Sequence, residues 1–198
     1  EFVKAYWFGA RVKVGTTPLV ITSVQAQSPA GQAGLKAGDA ILQVNGKPPR
    51  SFIDFTELLA AKAGSDVALA IGRGAARKDI AVRLVPEKTV FNAGMIRDKL
   101  GLDLEELTPQ LAARYGVGAS DAFLITGVQG KSPAAAAGLQ GGILVTAIDG
   151  QLPADLSTAA KLLYAKKKGD RVQLAIAVQQ RAGNFNVLRQ GAVDLATR

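Results

Sequence analysis

Apolar residues in this chain come in short blocks cut off by glycine and proline. Leu19 to Val24 and Ala40 to Val44 are runs of strand length, and Arg11 to Val14, Val67 to Ile71 and Ile80 to Val85 also read as strands. Phe52, Phe55 and Leu59 recur at i, i+3 and i+7 after Ser51, a good N-cap, which predicts a helix over Phe52 to Lys62. Ile53, Thr56 and Ala60 form the stripe beside that apolar face. Gly72-Arg73-Gly74 reads as the hairpin turn between the two strands that follow, since it lacks the third glycine, helix and acidic residue of a dinucleotide site. In the second half the pattern predicts a strand at Leu102 to Glu105. A short helix, Gln110 to Tyr115, follows with Thr108 as cap and Pro109 in its first turn. A further helix spans Leu156 to Lys166, with Leu156, Ala159 and Leu163 facing inward and Ser157 and Ala160 on the neighbouring stripe. The chain closes with a ribbon, Val172 to Gln180 and Phe185 to Leu195, turning at Ala182-Gly183-Asn184, in which Arg189 and Gly191 predict a bulge or a frayed edge.

The halves are copies. Shifting Ser28 to Gly46, SPAGQAGLKAGDAILQVNG, by 104 positions lays it on Ser132 to Gly150, SPAAAAGLQGGILVTAIDG. A period of this size exceeds the roughly 20–50 residues of a solenoid unit, so the repeat is a whole domain. The expected domains are 1–88 and 95–198, with a linker over about 86–97. Where the first copy has Gly38-Asp39 the second has Gly142-Ile143, which leaves the geometry of the second turn open.

Composition removes several classes of function. There are 198 residues with no histidine and no cysteine, so a histidine-based triad, a usual zinc site and a disulfide framework are all excluded. No metal and no cofactor is expected. The formal net charge of +8 raises nucleic acid as a partner. Against this, the one basic run, Lys166-Lys167-Lys168, falls at a predicted helix end, where cations suit the dipole, and no aromatics are interleaved. No nucleic-acid partner is expected. No apolar run approaches the 18 or so residues of a membrane span. The start at Glu1 without methionine suggests a fragment or a processed product.

The spaced set Ser-Pro-Ala, Ala-Gly-Leu, Gly-Asp and Asn-Gly in Ser28 to Gly46 resembles the PDZ domains of bacterial HtrA/DegP-type proteases. The run LGLDLEELTPQLAARYGV from Leu100 resembles the opening of the second PDZ domain in such proteins. The resemblance implies an α+β, mainly β fold: two tandem PDZ domains, each a small, partly open β-barrel or sandwich flanked by two helices. In that family a loop of the form X-Φ-Gly-Φ offers backbone N–H groups to a peptide's terminal carboxylate, and the strand after it accepts the peptide as an added strand. Trp7-Phe8-Gly9-Ala10 and Lys99-Leu100-Gly101-Leu102 look like that loop, the second being the better match. The implied peptide site is then Trp7, Phe8, Gly9, Ala10, Arg11 and Val12 with Ile53 and Thr56. In the second copy it is Lys99, Leu100, Gly101, Leu102, Asp103 and Leu104 with Ser157 and Ala160.

Three functions follow in order of expectation. The first is a non-catalytic module that captures extended, C-terminal or unfolded polypeptide segments. It would serve a protease domain in a longer, extracytoplasmic parent, in the bacterial periplasm or cell envelope, that could also oligomerise. The second is a structural or assembly module whose grooves are occluded, with the tandem PDZ region of a site-2-type membrane protease as an alternative parent. A self-sufficient enzyme comes last, because neither imidazole nor thiolate is available.

Overall fold

A computed structural model describes residues 2–118, 120–183 and 185–198. The chain divides into two compact units, the first ending at Val90 and the second starting at Phe91.

In the first unit β1 (Phe2–Val3) and β2 (Tyr6–Trp7) lead into β3 (Ala10–Lys13) and β4 (Leu19–Val24). One helical turn, α1 (Pro29–Gln32), precedes β5 (Ala40–Val44). Helix α2 (Phe52–Ala60), β6 (Asp66–Arg73), β7 (Ala76–Arg83), β8 (Val85–Pro86) and α3 (Glu87–Val90) complete it. The main sheet runs β3-β4-β5-β6-β7, antiparallel throughout, and β1-β2-β8 form a small second sheet. Phe8, Ile21, Ile41, Phe55, Leu59, Leu69 and Ile71 fill the core between the sheet and α2. The sheet ends in two edge strands, so it is open rather than a closed barrel.

The second unit repeats this with additions. It contains α4 (Ala93–Leu100), β9 (Leu102–Glu106), α5 (Pro109–Tyr115), β10 (Phe123–Val128), α6 (Pro133–Ala136) and β11 (Leu144–Ile148). It ends with α7 (Leu156–Tyr164), β12 (Arg171–Ala182) and β13 (Phe185–Ala196). Its sheet order is β13-β12-β11-β10-β9, again open. Helix α5 and its flanks bring Leu107, Leu111, Tyr115 and Val117 over a small core of Leu124, Leu144 and Ala177.

Four sequence expectations change. The stretch read as linker, 86–97, holds the end of β8, α3 and the first half of α4. The first hairpin turns later than Gly72-Arg73-Gly74: β6 continues to Arg73, which pairs with Ala76. Residues 76–79 are exposed, so no apolar alternation marks this part of β7. The final ribbon pairs one to one from Arg171↔Ala196 to Ala182↔Phe185 with no bulge, Gly191 lying opposite Ile176; Asn184 of its predicted turn lies outside the described residues. The turn at Gly142-Ile143 keeps the geometry of Gly38-Asp39. The glycines have φ of 91° and 92°, and each closes on its strand through a pair of bonds, Gly142 N and Ile143 O with Ile125, Gly38 N and Asp39 O with Ile21.

Candidate peptide-binding site

The two loops share one frame. Gly9 and Gly101 both have positive φ, 84° and 77°, and each carbonyl accepts from the amide of Gln25 or Gln129 at 2.8 Å. Each loop is pinned by the serine that opens the signature stretch. The Ser28 hydroxyl accepts from Gly31 N at 3.1 Å as the α1 N-cap and donates to Gln25 O at 2.7 Å, lying 3.3 Å from Gly9 O. Ser132 makes the matching contacts to Ala135 N, Gln129 O and Gly101 O at 3.1, 2.7 and 3.4 Å. A Cβ on Gly9 would meet Ser28 Cβ at 2.0 Å, and one on Gly101 would meet Ser132 Cβ at 2.1 Å. Glycine is required by contact as well as by φ. The sequence signal that marks these serines is their N-cap position ahead of a proline in the first turn.

In the first unit the loop keeps its amides unengaged. Among the described residues no acceptor engages the amides of Phe8 and Gly9, while Phe8 O accepts from Ala30 N at 3.0 Å. Because Gly9 O bonds Gln25 N, the next pair, Ala10 and Val24, is a non-hydrogen-bonded one, and the Ala10 amide points to the free edge of β3. Trp7 and Phe8 anchor the loop from below. Trp7 is buried with its indole donating to Gln25 Oε1 at 2.8 Å, and the Phe8 ring stands edge-on to Phe55 at 6.0 Å. Beyond the loop Arg11 is exposed and Val12 half-buried on β3.

Helix α2 starts at Ser51, whose hydroxyl accepts from Asp54 N at 3.1 Å, while Asp54 accepts from Arg50 N at 2.8 Å. Those two bonds satisfy donors that open a helix and fix its entry. The helix then buries Phe55 and Leu59, leaves Ile53 68% exposed and Thr56 half-buried, and carries Phe52 at 40% exposure rather than in the core. Strand β1 also packs on α2.

The second unit arranges the same residues differently. Leu100 is the last residue of α4 and fully buried, so its amide belongs to the helix ladder, and the Gly101 amide donates to Arg97 O at 2.8 Å as the C-cap. Lys99 Nζ donates to Lys166 O at 2.7 Å, and Asp103 pairs with Arg97 at 2.6 Å. Leu102 and Leu104 are buried. Ser157 and Ala160, expected to face an open groove, are buried, at 8% and 0% exposure. Their stripe, continued by Tyr164, answers to Ile53, Thr56 and Ala60 of α2. Helix α4 packs on both α7 and β9, and the cleft left beside it, lined by Ala93, Gly94, Arg97, Asp103, Glu105 and Thr126 among others, runs along β9.

Electrostatics separates the units at the signature turn. In the first unit the buried Asp39 carboxylate accepts two bonds from Arg73, both at 2.7 Å, and one from Lys36 N at 2.8 Å, while Arg73 also reaches Gly34 O. The Arg73 guanidinium, helped by the Lys36 amide and opposed by burial, holds the Asp39 carboxyl below its ordinary range. The positions answering to Asp39 and Arg73 in the second unit are Ile143 and Val178, both half-buried.

An edge strand beside a helix, with a glycine loop at one end, is the layout of a peptide-binding PDZ fold. Models of the PDZ domain match residues 20–73 and 99–188, and the chain belongs to that family twice over, as two PDZ domains. Over most of its length it is homologous to serine endoproteases of the DegP/HtrA kind. It is 29% identical over 159 residues to the "Probable periplasmic serine endoprotease DegP-like" of Chlamydia trachomatis, covering 79% of this chain and 32% of that protein. The protein of the same name from Pseudomonas fluorescens is 28% identical over 173 residues, covering 82% of this chain and 36% of the relative. A solved structure titled "HtrA-type protease AlgW with decapeptide" matches at 18% identity and a TM-score of 0.44, over 90% of this chain and 54% of that one. The chain thus spans about a third of the length of the curated relatives it matches. No helix among the described residues is long and apolar enough to cross a membrane.

Proposed function

We propose that the first unit captures extended peptides by their C-termini. The terminal carboxylate sits on the amides of Phe8, Gly9 and Ala10, the peptide backbone adds to the edge of β3 beside Arg11 and Val12, and its side chains meet Ile53 and Thr56 on α2. The observation that carries this reading is the pair of unengaged amides at Phe8 and Gly9, held in a loop locked by Ser28 next to a free strand edge. Successive backbone donors suit an anion, and a strand edge supplies backbone affinity without demanding a sequence. By homology the module serves a longer, extracytoplasmic serine endoprotease, selecting substrate termini or segments of unfolded chains for it. The domain boundaries proposed for this module are 1–88 and 95–198. A second reading, assembly through an occluded groove, is favoured only for the second unit, where α4 lies on α7.

The test is calorimetric titration of the whole chain with octapeptides ending in valine, leucine or alanine, each as free acid and as C-terminal amide. Free acids are expected to bind, amides to lose that binding, and Ile53→Arg to weaken it with the fold intact. Equal binding of acid and amide, or none of either, overturns the proposal. Variants of Gly9 are unsuitable, because any side chain there collides with Ser28.

A further inference from the structure

The segment entering the second loop packs on both α7 and β9, the helix and the strand between which a peptide would lie. Asn92 caps α4, its side-chain oxygen accepting from the amides of Gly94 and Met95 at 2.9 and 3.3 Å. Phe91 before the cap and Ile96 within the first turns are both buried, the positions of a hydrophobic staple. Ile96 and Leu100 lie four apart on one face, and the Phe91 ring stands edge-on to Tyr164 of α7 at 5.4 Å. The other end is latched. Arg97 bridges to Asp103 of β9, Lys99 caps the end of α7 at Lys166 O, and Arg198 donates to the carbonyls of Asp98 and Arg97 at 2.7 and 2.8 Å and to Gln129.

We infer that residues 91–100 are a built-in occupant of the second groove, so that this domain has two mutually exclusive states. In the closed state α4 is formed, and it consumes the amides of Leu100 and Gly101. In the open state α4 undocks and unwinds, those amides become carboxylate donors as in the first unit, and the Ser157–Ala160 face is uncovered for an extended peptide. What the open state receives rests on the capture reading above; the closure itself does not.

Three observations support a removable cover over a fixed part of the core. The first is chemical exclusion: one N–H cannot close a helix and hold a carboxylate at once, and Gly101 N is engaged by Arg97 O. The second is Ser157, whose hydroxyl is buried with no hydrogen-bond partner among the described residues, on the stripe of α7 that Phe91 meets at Tyr164. Its counterpart Ile53 is 68% exposed. The third is length. Eight residues with a glycine at Gly94 form no stable helix by themselves, so α4 persists only while docked.

The chain's lack of cysteine makes the test direct. Ser157→Cys places a single thiol in the buried stripe of α7, the helix on which α4 packs, and replaces a hydroxyl that makes no bond, with Ile53→Cys as the exposed reference. Ser157→Cys is expected to react with a maleimide at least about tenfold more slowly than Ile53→Cys, as a group reached only through local opening does. Adding Asn92→Ala, which removes the helix cap, is expected to speed it about fivefold. Ile96→Asp is expected to bring it near the reference rate while the β12–β13 amides stay protected from exchange; if they do not, the Asn92→Ala result decides. Labelling of Ser157→Cys at the reference rate, or a slow rate that Asn92→Ala leaves unchanged, overturns the inference. Titration with the valine-, leucine- and alanine-terminated octapeptides separates the two readings. One peptide per wild-type chain and two per Ile96→Asp chain supports both. Binding lost with Ile53→Arg but never gained with Ile96→Asp overturns the open-state role alone.

Discussion

The two loops have the same glycine, the same serine lock and the same glutamine bond, yet one presents its amides and the other spends them on a helix. The frame that shapes the loop and the availability of its amides are therefore set by different residues. The frame comes from Ser28 or Ser132. Availability comes from what precedes the glycine: a hairpin strand ending at Trp7 in one unit, a helix ending at Leu100 in the other.

The largest effect that could break this comparison is at the glycines. Gly9→Ala and Gly101→Ala each force a Cβ onto a serine at positive φ, and each is expected to cost its unit about 3–5 kcal/mol. Urea unfolding followed by the single tryptophan, Trp7, reads the first unit, and amide exchange along β12 reads the second. Losses that differ by more than about 2 kcal/mol would show that the frames are not equivalent. Next comes Arg73→Ala, which leaves Asp39 buried without its cation and is expected to cost the first unit about 3 kcal/mol and the second nothing. Installing the second unit's pair instead, Asp39→Ile with Arg73→Val, is expected to fall within about 1 kcal/mol of wild type.

The same pair sets a pH response. The Asp39 carboxyl is depressed when folded, so its stabilisation is complete above the unfolded value near 3.8 and is lost as pH falls through the lower folded value. Unfolding midpoints taken from pH 7 down to 2.5 are expected to drop for the first unit from about pH 4 downward. Asp39→Asn removes that contribution to the drop. Smaller again is Ile53→Arg, expected to weaken peptide binding about tenfold while changing stability by under about 0.5 kcal/mol, as an exposed site allows. The least effect is expected for Asp149→Asn, whose half-exposed partner Lys166 lies 2.7 Å away and whose loss costs about 0.5 kcal/mol, falling further in salt.

The duplicated fold was legible because its punctuation is local. The blocks Leu19 to Val24 and Ala40 to Val44 coincide with β4 and β5, and Ser51 and Thr108 cap the helices they were read to cap. β7 was shortened in the reading because its first residues face solvent and carry no alternation. Helix α4 was missed for a related reason. It buries only two apolar residues, four apart, in a short glycine-containing stretch, and its burial is supplied by α7 and β9 rather than by its own pattern. The loop motif was legible from its glycine, but the engagement of that glycine's amide was not, since Arg97 O acts through backbone geometry that no side chain encodes. Ser157 and Ala160 were expected on an open stripe of their helix, and both are buried, because helix packing across elements is not written in the local pattern.

Glycine and serine make the same contact across 19 residues in the first unit and 31 in the second. The twelve additional residues, α5 among them, enter between β9 and β10 without moving either end of the lock. The corresponding bend in the first unit, Gly15 to Pro18, is thus a natural port for grafted sequence. A short fluorescent or affinity insert placed there would extend from the end of β3 and leave Gly9, Ser28 and the free strand edge unaltered.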